Sequence, residues 1–214
     1  MKTNHFILIA VALIAIALLV ALNLNPQPQE GAHAPQDSAQ FIRDHSPRVG
    51  SEQAKVVIVE FMDPACGTCG QFHPFVKRML QRHRDKIRLV LRYAPFHEGS
   101  DEMVAILEAA RKQNKFGEVL DLMFESQQLW TQNHKAYPDR FWPLLKNIDL
   151  NLNRLAQDMK DPAIARVIEL DLSDAKQLGA DKTPTFFVNT QGLPSFGYQQ
   201  LTQLVDAEIA KHYP

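Results

Sequence analysis

Val56-Val57-Ile58-Val59-Glu60-Phe61-Met62-Asp63-Pro64-Ala65-Cys66-Gly67-Thr68-Cys69 is the stretch on which the reading of this chain turns. The run from Val56 to Phe61 is short, β-branched and nearly all apolar, the composition of a strand buried on both faces. Downstream, Phe72, Phe75, Val76, Met79 and Leu80 recur at helical spacing. Cys66 and Cys69, the 2 cysteines of 214 residues, therefore fall where a buried strand ends and a helix begins. Residues three apart at a helix start lie within the ~4.4–6.8 Å Cα separation a disulfide needs. The loop they would close is tiny and removes little unfolded-state entropy, which argues for a redox-active pair over a structural staple. Free N–H groups and the positive end of the helix dipole stabilise a thiolate at that position. Cys66, at the exposed start, is the expected nucleophile, and Cys69, one turn deeper, the residue that resolves a mixed disulfide.

Three rival readings of the pair stand beside this one. A zinc site needs about four ligands and would have to recruit scattered histidines such as His73 or His97. Covalent haem attachment requires His after the second cysteine, and residue 70 is Gly. An inert pair, or a binding protein for peptides or metals in which the cysteines are accessory, is the remaining alternative. No cofactor and no metal are expected.

Working outward, a second apolar strand is predicted at Ile87 to Tyr93, so that strand, helix and strand form a right-handed βαβ unit. Helices are then predicted from Ser100 to about Gln113, from Lys115 to Gln128, from Pro138 to Asn147 and from Leu150 to Met159. One more runs from Pro162, capped by Asp161, to Leu178, ahead of Gly179. Strand chemistry returns at Thr185 to Asn189, with a turn through Thr190-Gln191-Gly192, a paired segment around Leu193 to Phe196, and a final helix from about Gln199 to His212. The seven basic residues from Lys77 to Arg92, both included, read as the solvated side of the first helix and its exit loop. Phe124, Leu129, Trp130, Phe141 and Trp142 read as packing of the helical block, with a peptide groove as the alternative.

The N-terminal end uses a different solvent. Phe6 to Leu22 is a run of 17 residues without charge, near the lower limit of ~17–25 for a spanning helix. Lys2 precedes it and no Lys or Arg follows before Arg43, which places the N-terminus in the cytoplasm and the remainder outside. Residues 1–25 are thus expected to be a transmembrane anchor of the bacterial inner membrane. The alternative is a signal peptide cleaved after Ala32-His33-Ala34, which leaves a soluble periplasmic protein. The anchor is preferred because the apolar run exceeds the ~7–15 residues of a signal core and Pro35 would follow the cut. Residues 26–39, proline- and glutamine-rich, read as a flexible spacer. Residues 40–214 read as one domain with a helical insertion at about 100–180. With 23 basic against 24 acidic residues, nothing attracts the chain to nucleic acid.

The segment Glu60 to Cys69 resembles the active-site segment of the thioredoxin superfamily, and Pro74 matches the proline inside that family's active-site helix. Lys182-Thr183-Pro184-Thr185-Phe186-Phe187-Val188-Asn189 resembles its cis-proline loop and following strand. With the helical block between them, the two segments resemble the DsbA-like branch. The resemblance implies an α/β thioredoxin-like fold, β-α-β then β-β-α, with an inserted helical block. It further implies a cis Pro184 opposite the cysteines, with the Thr183 backbone pairing with substrate, and a buried Glu60 that relays the proton of Cys69. Exported proteins bearing thiols or disulfides would be the substrates, and a membrane redox partner would recycle the pair. The chain departs from the branch's oxidases in its Gly67-Thr68 dipeptide, which lacks a histidine beside the second cysteine, and Thr183 also suits reductases and isomerases. A dithiol oxidase is the preferred reading, with a membrane-tethered reductase or isomerase as the alternative.

Overall fold

The computed structural model describes residues 38–214; the predicted membrane segment and the spacer up to residue 37 lie outside them. Among the described residues no helix is long and apolar enough to cross a membrane.

The βαβ unit is built from β2 (Val56–Met62), α2 (Gly67–Arg82) and β3 (Ile87–Tyr93), with β2 and β3 parallel from Val56↔Ile87 to Met62↔Tyr93. A short α1 (Ser38–Phe41) and β1 (Arg48–Gly50) precede it, and β1 pairs antiparallel with β3. After the helical region, β6 (Thr185–Val188) pairs antiparallel with β2 and β7 (Gln191–Gly192) with β6. The five-stranded order is β1-β3-β2-β6-β7, and α9 (Tyr198–His212) closes the chain. This is the thioredoxin-like α/β arrangement.

Between β3 and β6 lie α3 (Ser100–Arg111), α4 (Phe116–Glu125), α5 (Gln127–Trp130), a hairpin of β4 (Thr131–Gln132) and β5 (Lys135–Ala136), α6 (Pro138–Phe141), α7 (Leu152–Asp158) and α8 (Pro162–Gln177). Two predicted helices are broken. Ser126 turns its hydroxyl back onto the Leu122 carbonyl at 2.6 Å and separates α4 from α5. Pro143, which lacks an N–H, converts the end of the Pro138 to Asn147 helix into the 3-10 turn Trp142–Asn147. The Asp161 cap is present, its carboxylate accepting from Ala163 N–H at 2.8 Å.

The pleat sorts β2 and β3 between two cores. Val56, Ile58 and Met62 of β2 pack with Leu89, Leu91 and Tyr93 of β3 on the face that carries α2 and both cysteines. Val59, Phe61 and Val90 pack with Phe41, Ala175, Leu178 and Phe187 on the other. Arg92 follows that alternation onto the second face and is wholly buried, which corrects its reading as part of a solvated basic surface. Its guanidinium pairs with Asp171 at 2.7 Å and Asp174 at 2.5 Å, and Asp174 also holds Arg43 at 2.7 Å. The acids that neutralise Arg92 stand 79 and 82 positions away on α8.

A second correction concerns the last hairpin. Asn189 (φ 46°) and Thr190 (φ 73°) form a two-residue turn with both central residues left-handed, so the returning strand is Gln191–Gly192 and not Leu193 to Phe196. The segment after it leaves the sheet and carries Phe196 half exposed beside the Pro184 loop.

Candidate active site

Two buried strands end at the same height, and the turn Asp63-Pro64-Ala65-Cys66 leads from the first of them into α2. Cys66 is the N-cap residue of that helix, in extended conformation (φ −73°, ψ 116°), and Cys69 lies one turn inside. Both are free thiols, Cys66 7% exposed and Cys69 fully buried. The pleat puts Glu60 on the face of β2 that bears Ile58 and Met62, hence beneath the cysteines, where it is buried. The Thr183-Pro184 peptide is cis. The Thr183 carbonyl lies 3.2 Å from the Cys66 sulfur and accepts from it when Cys66 is protonated. All five residues singled out in the sequence, Glu60, Cys66, Cys69, Thr183 and Pro184, thus converge on the turn between β2 and α2.

The electrostatics separate the two sulfurs. The Cys69 thiol donates to Cys66 and, with a hydrogen bond from the Thr183 side chain and the N–H groups of Cys69 and Thr68, overcomes burial to draw the Cys66 thiol down to about 5. Burial, then the hydrogen bond to Cys66 and the charge of Glu60, push Cys69 well above the ordinary thiol range. Burial, reinforced by the charge of Cys66, raises the Glu60 carboxyl to about 8. One sulfur is ionised at neutral pH, the other holds its proton, and the acid beneath them can give or take one.

Two grooves flank Cys66. One, of about 730 Å³, runs between α2 and the α4–α5 junction past Gly67, Gly70, Gln71, Phe124 and Leu129. The other, of about 320 Å³, lies along the cis-proline loop and is lined by Lys182, Pro184, Phe186, Leu193 and Phe196. Of the aromatic and apolar residues weighed for a groove, Phe124 and Leu129 line the first, whereas Trp130 and Phe141 are fully buried. The approach of α2 to α5 depends on Gly70. A Cβ there would stand 2.7 Å from the Gln127 Oε1, and Gln127 donates to the Pro64 and Cys66 carbonyls at 2.7 and 3.0 Å.

Sequence reasoning missed Asp63, Ser100 and Gln127, and weighed His97 only as a zinc ligand. Asp63 is fully buried and accepts from Ala65 N–H at 2.8 Å, His97 N–H at 2.9 Å, the His97 ring at 2.6 Å and the Ser100 hydroxyl. Its place three residues before the first cysteine was visible, but partners 34 and 37 positions downstream leave no local signal. His73 faces the helical block, 2.7 Å from Asp121, where burial lowers its basicity despite that partner.

Comparison with known proteins adds the lineage. The model of the family described as Thioredoxin matches residues 43–207. A thioredoxin-like oxidoreductase from Silicibacter pomeroyi DSS-3 superposes with a TM-score of 0.69 at 26% identity, over 81% of this chain and 97% of that one. BdbD from Bacillus subtilis superposes at 0.67 with 21% identity, over 77% and 93%, a likeness of fold. The Na(+)/H(+) antiporter NhaA of Herminiimonas arsenicoxydans is 28% identical over 159 residues, 74% of this chain but 25% of that protein. The chain therefore spans about a quarter of the length of the curated relative it matches. With the matched segment enclosing the cysteine turn, the cis-proline loop and every strand of the five-stranded sheet, the chain belongs to the thioredoxin family.

Proposed function

We propose that this chain is an extracytoplasmic thiol-disulfide oxidoreductase that works on exported proteins through Cys66 and Cys69, in the oxidising direction. The observation that carries the reading is the opposed ionisation of two sulfurs one helical turn apart: Cys66 drawn down to about 5 and Cys69 pushed up. A leaving group that is already stable as an anion makes the disulfide form a better oxidant.

In the oxidising direction a substrate thiolate attacks the Cys66 sulfur of the Cys66-Cys69 disulfide. The S–S bond breaks, Cys69 leaves with the electron pair, and it takes up a proton, for which Glu60, raised to about 8, is the buried donor. A second substrate thiolate then attacks the substrate sulfur of the mixed disulfide and expels Cys66 as a thiolate. The substrate loses two electrons and its pair of thiol protons, and the protein gains the electrons. Run in reverse, Cys66 attacks a substrate disulfide, and Cys69 must surrender its proton, with Glu60 as acceptor, before it closes the ring. Pro184, next in the chain to Thr183, borders the groove along which an extended peptide would lie. Reoxidation needs a membrane-associated disulfide donor, and the apolar run 6–22 would hold the domain at the same surface as that partner. Cleavage of the run would leave the domain soluble in the periplasm.

Equilibration of the Cys66-Cys69 pair against glutathione tests the direction. An oxidase is expected toward ~−120 mV, and a value near ~−270 mV would overturn that direction in favour of a reductase. A Cys66→Ser, Cys69→Ser double variant with full biological activity would remove the dithiol from the function altogether.

A further inference from the structure

Asp63 is the buried charged residue at the site to which disulfide exchange assigns no role. Its two carboxylate oxygens accept from four donors, which saturates them: Ala65 N–H and the Ser100 hydroxyl on one oxygen, the His97 N–H and ring on the other. The His97 ring meets its carboxylate oxygen through Nδ1. Ser100 opens α3 and is itself fully buried, and the His97 ring stacks on His134 of the β4–β5 hairpin at 5.8 Å. The side chain of Asp63 therefore anchors in the helical block. Its main chain faces the other way: the carbonyl accepts from Cys66 N–H at 3.0 Å, and the N–H hydrogen-bonds the Cys69 sulfur. A single residue joins both cysteines to the inserted helices.

We propose that Asp63 is a positioning residue of the dithiol, held by His97 and Ser100, that keeps the Cys69 sulfur aligned on Cys66 for ring closure. The inference rests on the exchange reaction proposed above. The Cys66 thiolate is held by Cys69 and Thr183, which Asp63 does not touch through its side chain. Freeing the Asp63 turn should therefore spare the first attack and slow the second, in which the Cys69 sulfur must displace the bound partner from Cys66.

The test uses the full chain, reduced, mixed with oxidised glutathione. The first phase breaks the glutathione disulfide, forms a Cys66-glutathione bond and releases one glutathione thiolate; the second closes Cys66-Cys69 and releases the other. Asp63→Asn keeps the shape but turns an NH₂ toward at least one of the four donors. It should slow the second phase at least tenfold and accumulate the mixed disulfide, with the first phase slowed several-fold less than the second. Ser100→Ala and His97→Phe, each of which removes one donor outside the dithiol, should slow the second phase several-fold. Closure within twofold of the parent in Asp63→Asn, or equal slowing of both phases there, would overturn the proposal. Should Asp63→Asn not fold, unchanged closure in both Ser100→Ala and His97→Phe overturns it. A parent chain that forms no mixed disulfide would instead fail the exchange reaction itself.

Discussion

Replacing Cys69 by alanine and, separately, by serine isolates the interaction that makes Cys66 reactive. The largest influence on the Cys66 thiolate is the hydrogen bond from Cys69. Serine retains a donor at that place and alanine does not, while either leaves Cys66 as the chain's one thiol. With an ionisation midpoint at about 5, Cys66 is ~90% thiolate at pH 6, against ~0.3% for a free thiol of ~8.5, a ratio of roughly 300. A less basic thiolate is also less nucleophilic, by roughly 40-fold over that interval at a Brønsted slope of ~0.45. The net advantage in iodoacetamide alkylation is then about sevenfold at pH 6 and about 40-fold at pH 5, reversing to a disadvantage of roughly 30-fold at pH 9. The crossover near neutrality distinguishes an activated thiol from a merely accessible one. A hydrogen bond to a charged group contributes ~1.5–3 kcal/mol, or roughly one to two decades in proton affinity. The alanine variant should therefore titrate at roughly 6–7, and the serine variant should stay near the parent. At pH 5 the alanine variant is alkylated about two- to sixfold more slowly than the serine variant, and at pH 9 about three- to eightfold faster. Coincident pH–rate curves for the two variants, or a serine variant that titrates like a free thiol, would refute the assignment of Cys69 as the donor.

The burial of Glu60 predicts a pH-dependent stability. A carboxyl raised to about 8 in the folded state favours folding fully below its unfolded value and loses that contribution as pH climbs through about 8. In a background without either thiol, Glu60→Gln should therefore gain in urea midpoint on the parent between pH 6 and pH 9, and a constant gap would contradict the buried carboxyl. Arg92→Met removes the buried guanidinium from Asp171 and Asp174, leaving His45 on the first and Arg43 on the second, and should cost about 3–5 kcal/mol in equilibrium unfolding; a loss below about 1 kcal/mol would mean that those flanking partners suffice for the two acids. Gly70→Ala displaces the Gln127 amide from two carbonyls of the cysteine turn, at about 1–3 kcal/mol. Gly67→Ala, with open space around its Cβ, should leave thermal stability unchanged or slightly raised, and equal losses for the two variants would show that the Gln127 contact is not the cause.

Local pattern made much of the fold legible. Val56–Met62 and Ile87–Tyr93 are buried on both faces, so a mostly apolar run marks them whatever packs above, despite Glu60 in the first and Arg88 and Arg92 in the second. Asp161 and Pro162 mark the start of α8 because capping is a matter of adjacent residues. Where one side chain reset the backbone the reading faltered: the Ser126 and Pro143 breaks, and the left-handed pair Asn189-Thr190 that moved the last strand two residues upstream. β1 was invisible because its three residues are exposed and carry no alternation of burial.

The candidate site divides in the same way. Two cysteines at a strand-to-helix junction are a local fact, and the thiolate chemistry of a helix N-terminus follows from adjacent backbone alone, so the primary sequence sufficed for Cys66 and Cys69. What sets their ionisation apart came only with the folded chain: the Thr183 side chain, 117 positions from Cys66, and the burial of Cys69 and Glu60. Arg92 is the plainest case, since the strand pattern places it on a buried face but names no counter-charge. Burial and charge pairing are properties of what approaches a residue through space, and the distance along the chain to those partners exceeds any period that a sequence can display.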